Sequence, residues 1–92
     1  MVTLVFPPQF QRMLKGQLNH QGTGFTLAEV LTNVCEGKPE LRKMLFLSSG
    51  QVSPFVAFSV VGGEDVYPSM LTGSVQLRAG DTVEVILAMA GG

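Results

Sequence analysis

The sequence predicts a single α+β domain, in which one main helix covers a mixed sheet of four to five strands. Three observations predict this class. A β-rich segment opens the chain at residues 2–6, and another closes it at residues 82–88. One segment with helical periodicity lies between them, at residues 27–36. The remaining apolar segments are short and are separated by Gly- and Pro-rich turns, and 92 residues suffice for about one domain.

Composition and charge exclude several classes of protein. Apolar residues make up 46% of the chain and charged residues 14%, against about 25% charged residues in typical domains, which excludes a disordered polyelectrolyte. The longest apolar run, residues 85–90, is far shorter than the roughly 20 residues of a membrane span. Six Lys/Arg against seven Asp/Glu give a net charge of −1, without the basic surplus of nucleic-acid-binding domains. We therefore expect neither a nucleic acid nor a membrane as partner.

The single cysteine and the single histidine limit the chemistry that the chain can perform. Cys35 cannot form an internal disulfide, and it cannot supply the several thiolates of a zinc or iron–sulfur site. We expect it to be a small buried apolar residue in a reducing, cytoplasmic setting. His20 is the only histidine and is expected to be solvated. The sequence thus predicts a module without a bound metal or cofactor, and not an enzyme.

The first strand is assigned to residues 2–6, which Pro7-Pro8 ends. Residues 9–15 allow either a bulging loop or a helical turn. Residues 17–21 are predicted to form a second strand that pairs with the first as a hairpin, followed by a turn at Gly22 and Gly24.

The helical segment has clear signals at both ends. Thr26 and Glu29 have the spacing of a capping box, in which the Thr hydroxyl and the Glu carboxylate each accept from a backbone N–H of the helix start. Gly37 is a typical C-terminal stop. A short second helix is predicted over residues 38–46, with Pro39 in its first turn.

Three strand segments follow. Residues 55–61 are strongly β-forming, Gly62-Gly63 suits a tight hairpin turn, and residues 64–67 are predicted to return as a short strand. Residues 74–77 form a brief strand or turn before the last strand. Since the first and last strands are the most apolar, we expect them to lie side by side in the centre of the sheet, in parallel. That topology is a β-grasp.

The end of the chain resembles a known family. Ala90-Gly91-Gly92 directly follows a strand that Ala79-Gly80-Asp81-Thr82-Val83 opens, and this pattern resembles the small ubiquitin-like sulfur carriers. The helix start at residues 26–31 and the strand at residues 55–61 with its Glu64-Asp65-Val66 return are similar to the same family. Its members include the small subunit of molybdopterin synthase, the thiamin sulfur carrier and the carriers of bacterial cysteine and thioquinolobactin synthesis. The Pro7-Pro8 pair and the Phe-Val-Ala-Phe start of the strand at residues 55–61 resemble the cysteine and siderophore branch in particular.

The resemblance implies a ubiquitin-like β-grasp body at residues 1–87 and a flexible tail at residues 88–92. It implies that a partner ATP-dependent activating enzyme adenylates the Gly92 carboxylate, which a sulfur donor converts to a thiocarboxylate. A sulfur-accepting synthase would receive the sulfur, and a metalloprotease is a further candidate partner that exposes the Gly-Gly end. Met89, Ala90 and Gly91 would occupy the channel of the activating enzyme. Glycine suits a narrow channel because it has no Cβ.

The alternation of residues along the strands predicts a docking face. If Val83 and Val85 point into the core, Ile86 is an apolar residue on the open face of the sheet. The same alternation places Phe55, Val61 and Val5 outward. An exposed apolar patch of a few hundred Å² is typical of an interaction site, and in the molybdopterin-type relatives this face docks the activating enzyme.

Two other functions remain open at this point. A ubiquitin-like protein modifier would use the same activated carboxylate to form an isopeptide bond with lysine. A structural β-grasp interaction module would have an incidental glycine tail. The ferredoxin version of the fold is excluded, because it needs four cysteine ligands.

Overall fold

The structure is a computed structural model that describes residues 1–87, which form five strands and two α-helices. Short 3-10 turns lie at Pro8–Phe10 and Ser69–Leu71. Within residues 1–87, no helix has the length and hydrophobicity required to cross a bilayer. The elements are β1 (Val2–Val5), β2 (Asn19–Gly22), α1 (Leu27–Val34), α2 (Pro39–Leu45), β3 (Val56–Val60), β4 (Val66–Pro68) and β5 (Thr82–Leu87).

The strands form one mixed sheet in the order β2-β1-β5-β3-β4. The first and last strands are neighbours in its interior and run parallel, with Leu4 opposite Val83, while β1–β2, β3–β5 and β3–β4 are antiparallel. This confirms the predicted topology. Since β5 lies between β1 and β3, the strand that leads into the C-terminal segment is hydrogen-bonded on both sides.

The core lies between one face of the sheet and the two helices. Strand residues alternate between this face and the opposite one, as the period of a pleated strand requires. Leu4, Phe58 and Val83 are fully buried from three adjacent strands. Four buried residues of α1 cover them: Leu27, Val30, Leu31 and Val34. From α2, Leu41 and Leu45 complete the cluster.

The predicted capping box starts α1. The Glu29 N–H donates to the Thr26 hydroxyl (3.2 Å), and the Thr26 N–H donates to the Glu29 carboxylate (3.0 Å). Because the N–H groups of Thr26 and Phe25 both donate to this carboxylate, the pKa of Glu29 lies below its usual range. The capping box thus satisfies donors at the helix start that would otherwise lack partners.

A later segment also fixes the start of α1. The Leu27 N–H donates to the Val75 carbonyl (2.9 Å) and the Ala28 N–H to the Thr72 carbonyl (3.1 Å). Thr72 is buried, and its hydroxyl donates to the Ser69 carbonyl. Residues 69–77 therefore hold the helix in place, and in the region predicted as a brief strand only Gln76 forms an isolated bridge, with Thr26.

The helices end close to the predicted positions. Helix α1 ends at Val34, two residues before the predicted end, with Cys35 as its C-cap. Gly37 adopts a φ of +73°, in the left-handed region that favours glycine. Helix α2 then begins at Pro39, because the fixed φ of proline suits the first helical turn and its missing N–H has no partner there.

At the start of the chain, the structure decides between the two alternatives for residues 9–15 and corrects the second strand. Residues 8–16 form a 3-10 turn followed by further turns, which bury Phe10 and Leu14 in the core. The second strand begins at Asn19, two residues later than predicted, and includes Gly22, which the sequence assigned to a turn. A Cβ at Gly22 would come within 2.7 Å of the Val34 side chain, so glycine is required where β2 packs against α1.

The predicted tight hairpin at Gly62-Gly63 is wrong. Pairing between β3 and β4 ends at Ser59 opposite Val66, so a longer connection joins the two strands. The Gly63 N–H donates to the Val60 carbonyl (2.9 Å) and closes a turn, while the Val61 N–H still donates to the Thr82 carbonyl (2.8 Å). Because β3 continues to follow β5 at this point, β4 can start only after the chain has turned away.

Candidate functional site

The candidate site is the face of the sheet opposite the helices, which we call the open face. It consists of the strand residues that alternate with the buried ones. On the three inner strands these are Thr3 and Val5 of β1, Thr82, Glu84 and Ile86 of β5, and Ala57 and Ser59 of β3. Among them Glu84 and Ile86 are exposed, and the others are half-buried by their neighbours. Within the described residues, no element covers this face as the helices cover the other.

The four predicted docking residues all lie on the solvent-accessible side, but they form two groups. Ile86 is 36% exposed and pairs with Ala57, and the half-buried Val5 lies diagonally from it on β1. Phe55 precedes β3 and is 57% exposed; it lies one residue beyond the pair Val56–Leu87, near the end of β5. These three residues are grouped around the C-terminal half of β5.

Val61 belongs to the other group. It follows β3, is 57% exposed and is bound to Thr82 at the start of β5. Six residue steps along an extended chain separate it from Phe55, a distance of roughly 20 Å at about 3.3 Å per residue. The structure therefore brings Val5, Ile86 and Phe55 towards one end of the open face and places Val61 at the other. The docking role of all four remains a prediction.

An open groove of about 510 Å³ lies beside the C-terminal half of β5. Its walls are formed by the end of β1 with the residues that follow it and by the end of β5: Val5, Phe6, Pro7, Pro8, Gln9, Glu84, Val85, Ile86 and Leu87. The cause is Pro7. On β1 the Thr3 N–H donates towards β5, to the Asp81 carbonyl (2.9 Å), and this donor position recurs every second residue. Pro7 occupies the next of these donor positions but has no N–H, so the two strands separate after the pair Val5–Glu84.

The sequence analysis assigned no role to Glu84 or to this groove. The signal for Glu84 was present, because it is the one charged residue among those that alternate with Val83 and Val85 on the last strand. The groove could be found only from the register of β1 and β5, which places Pro7 beside the end of β5.

The predicted site of chemistry lies outside the described residues. It comprises Gly92 as the point of sulfur attachment and Gly91, Ala90 and Met89 as the channel segment. Leu87, the last described residue, is half-buried at the end of β5 and lines the groove. The roles of these four residues thus remain predictions.

Cys35 is buried, as predicted, at 2% exposure. Burial raises the pKa of its thiol, although the positive charges of Arg42 and Lys38 act in the opposite direction. The thiol is therefore protonated and shielded, which is the opposite of a reactive cysteine. His20 lies on β2, where its Nε2–H donates to the Gln17 carbonyl (2.7 Å). Within residues 1–87 no three His, Cys, Asp or Glu side chains are grouped to hold a metal ion.

Comparison with known proteins gives structural matches only. No protein-family model matches the chain, and no curated protein matches it in sequence. CysO of Mycobacterium tuberculosis is 22% identical over 97% of this chain and 100% of its own, with a TM-score of 0.73. A chain of the BexX/CysO complex of Amycolatopsis orientalis is 18% identical over the full length of both chains, with a TM-score of 0.72. Small archaeal modifier protein 1 of H. volcanii is 13% identical over 91% of this chain and 92% of its own, with a TM-score of 0.67.

These similarities extend over nearly the whole length of each chain. The strand order of this chain and its parallel central pair β1–β5 are those of a β-grasp. The chain therefore has the β-grasp fold of the ubiquitin-like proteins, and its structural neighbours are small proteins of the CysO and archaeal modifier type.

Proposed function

We propose that this protein is a sulfur carrier whose Gly92 carboxylate is adenylated by an ATP-dependent activating enzyme and then converted to a thiocarboxylate. The thiocarboxylate donates its sulfur to a synthase in the biosynthesis of a cofactor, of cysteine or of a siderophore. The chain is then a co-substrate of other enzymes and not itself a catalyst. A metalloprotease that exposes the Gly-Gly end is a further partner under this proposal.

The observation that carries the proposal is the position of Gly91-Gly92 a few residues after the end of β5, on a β-grasp body. Strand β5 is fixed on both sides by β1 and β3, so the start of the segment 88–92 has a defined origin. Fully extended, these residues span at most about 17 Å at about 3.3–3.6 Å per residue. This length suffices to carry a carboxylate from the sheet into a buried nucleotide site of another protein.

The chemistry takes place at one carboxylate. A Gly92 oxygen attacks the α-phosphate of ATP, and an acyl-adenylate forms as pyrophosphate leaves. A hydrosulfide sulfur from the donor then attacks the acyl carbon, and AMP leaves with the original oxygen. The product is a thiocarboxylate in which sulfur has replaced one oxygen, with no change in oxidation state of the carbon. None of these steps requires a nucleophile or base from the body of the carrier.

The open face offers exposed apolar residues that a partner enzyme could contact. Ordering the extended tail in a channel costs about 1–2 kcal/mol of backbone entropy per residue, and contacts elsewhere on the carrier must offset that cost. The exposed Ile86 and Phe55 lie near the end of β5, where a bound enzyme would also receive the tail. The CysO chain of A. orientalis, which has the same fold, was crystallised as a complex with BexX.

The test is intact-mass spectrometry of the full chain. We expect incubation with an activating enzyme from the same genome, ATP and a sulfide donor to exchange one oxygen for one sulfur at the C-terminus. Deletion of Gly92 should abolish adenylation and leave the thermal unfolding midpoint nearly unchanged, because residues 1–87 contain the whole described core. A wild-type chain that is neither adenylated nor thiolated would contradict the proposal.

The second candidate is a ubiquitin-like protein modifier, which is favoured by the structural similarity to small archaeal modifier protein 1. Both functions share the activated Gly92 carboxylate and differ in the nucleophile that receives it. A modifier would appear as a ladder of lysine conjugates that depends on Gly92. A structural interaction module, the third candidate, would yield neither product and would tolerate the loss of Gly91 and Gly92.

A further inference from the structure

Glu84 is the only charged residue among the outward-facing residues of all five strands. The others on the inner strands are Thr3, Val5, Thr82, Ile86, Ala57 and Ser59, and the edge strands add Asn19, Gln21, Val66 and Pro68. Glu84 lies in the central strand, directly between Val5 on one side and Ser59 on the other. The centre of the open face is therefore an isolated carboxylate in uncharged surroundings.

Among the described residues, the Glu84 carboxylate has no bonding partner. Within residues 1–87, no hydrogen bond or ion pair involves its side chain, whereas two other carboxylates accept hydrogen bonds from nearby backbone N–H groups. Glu29 caps α1, and Asp81 accepts from the Arg78 N–H (2.8 Å). The Glu84 side chain is exposed, so in the free protein water solvates it. It is available to a group from another molecule.

Glu84 is one of the residues that line the groove described above. Glu84 and Ile86 line it from β5, and Val5, Pro7 and Pro8 line it from the end of β1 and the residues that follow. No other charged residue lines the groove. An open groove that combines apolar side chains with one carboxylate suits a long side chain that has an aliphatic stem and a cationic end, because the stem can pack on the apolar part while its end reaches the charge.

We infer that the partner which binds the open face inserts an arginine side chain into this groove and pairs its guanidinium with Glu84. Arginine fits better than lysine, because its planar guanidinium is more weakly hydrated and binds a carboxylate through two parallel hydrogen bonds. The inference rests on the proposed function for the identity of the partner, the activating enzyme. The chemistry of the contact rests on the groove and the charge alone.

A second copy of this chain is a poorer occupant of the same surface. A symmetric contact through the open face would bring the same patch of both copies together. The two central Glu84 carboxylates would then be buried near each other without a cation on either open face, and like charges across an interface are costly. The same residue thus disfavours self-association and selects a cationic partner.

The position of the groove also bears on the tail. Leu87 lines the groove and is followed at once by the segment that contains Gly92. An arginine held at Glu84 therefore anchors the partner within a few residues of the tail. The contact would fix the direction in which the tail leaves the sheet, beyond its contribution to affinity.

The first experiment measures ATP–pyrophosphate exchange by the activating enzyme as a function of carrier concentration. We expect Glu84→Gln to raise the KM for the carrier roughly tenfold and to leave kcat unchanged, because the pair contributes to binding and not to chemistry. Glu64→Gln is the matched control, since it removes the same charge from an exposed loop residue outside the sheet. A KM for Glu84→Gln within twofold of the control would overturn the inference.

The second experiment does not depend on activation. A phage library of apolar peptides with one randomised central position is selected against the full chain and against both variants. We expect arginine to be enriched at that position for the wild type and for Glu64→Gln, and not for Glu84→Gln. Absence of that difference overturns the inference, as does a wild-type chain that forms a dimer through the open face in sedimentation velocity. Arginine enrichment without any exchange activity would instead refute the proposed function and leave the inference standing.

Discussion

The two faces of the sheet are built from the same strands and differ in what covers them. On one face Leu4, Val83 and Phe58 are fully buried under α1 and α2. On the other face Val5, Glu84 and Ser59 occupy the neighbouring positions of the same three strands, and Glu84 is exposed. Successive residues of one strand therefore serve different purposes, because pleating directs them to opposite sides.

This difference separates stability from interaction. The covered face and the helices and loops packed on it form the buried core of the described chain, so their residues determine whether the protein folds. The open face contributes little to the core, so changes in its charge or shape affect folding less. An isolated carboxylate such as Glu84 is tolerated there because water solvates it, whereas one position along the strand it would be buried without a partner.

The largest expected contrast comes from two phenylalanines of the same segment. Phe58→Ala should lower the free energy of unfolding by about 3–5 kcal/mol, since it leaves a cavity in a fully buried site. Phe55→Ala should lower it by only about 0.5 kcal/mol, because Phe55 is mostly exposed. Urea unfolding measures both changes, and Phe58→Leu replaces Phe58→Ala if that variant does not fold. Similar losses for Phe58 and Phe55 would invalidate the assignment of the faces.

A smaller effect on stability tests how the start of α1 is fixed over the covered face of the sheet. Thr26→Ala removes the hydroxyl that accepts from the Glu29 N–H and should lower the free energy of unfolding by about 1 kcal/mol. Thr32→Ala is the control, because its hydroxyl only donates to a carbonyl one turn earlier in α1. If both variants lose the same stability in urea unfolding, the capping box is not what fixes the helix start.

The smallest effect on stability is expected on the open face. Ile86→Asp should cost less than about 1 kcal/mol of stability, since Ile86 is partly solvated and lies outside the core cluster. It should nevertheless weaken binding of the activating enzyme strongly, because it introduces a charge into the apolar contact. Thermal unfolding and the KM for the carrier measure the two effects. Equal loss of both would mean that Ile86 belongs to the core.

The parts of the fold that local signals specify were predictable. The capping residues Thr26 and Glu29 and the stop at Gly37 defined α1 to within two residues, and the apolar first and last strands implied the central parallel pair. The connection between β3 and β4 was not predictable, because Gly62-Gly63 suits several turn lengths. Its length depends on Val61, which keeps its hydrogen bond to β5, and such a tertiary contact leaves no local signature.

The sequence predicted which residues of the candidate site face outward, but not how they are arranged on the surface. Strand alternation alone placed Val5, Ile86, Phe55 and Val61 outward, but the register that separates Val61 from the other three is a property of the assembled sheet. The groove, likewise, could not be predicted from local sequence signals. It arises where Pro7 meets the end of β5, two segments that lie far apart in the sequence.

The position of β5 between two partners has a mechanical consequence. Any enzyme that pulls on the C-terminal segment loads β5 along its own axis, and the hydrogen bonds to β1 and β3 on either side lie across that axis. They must therefore break together in shear, and cannot be unzipped one at a time as they would be at an edge strand. A force applied to the end of the chain is thus transmitted to the whole folded body, which moves as one unit and does not unfold.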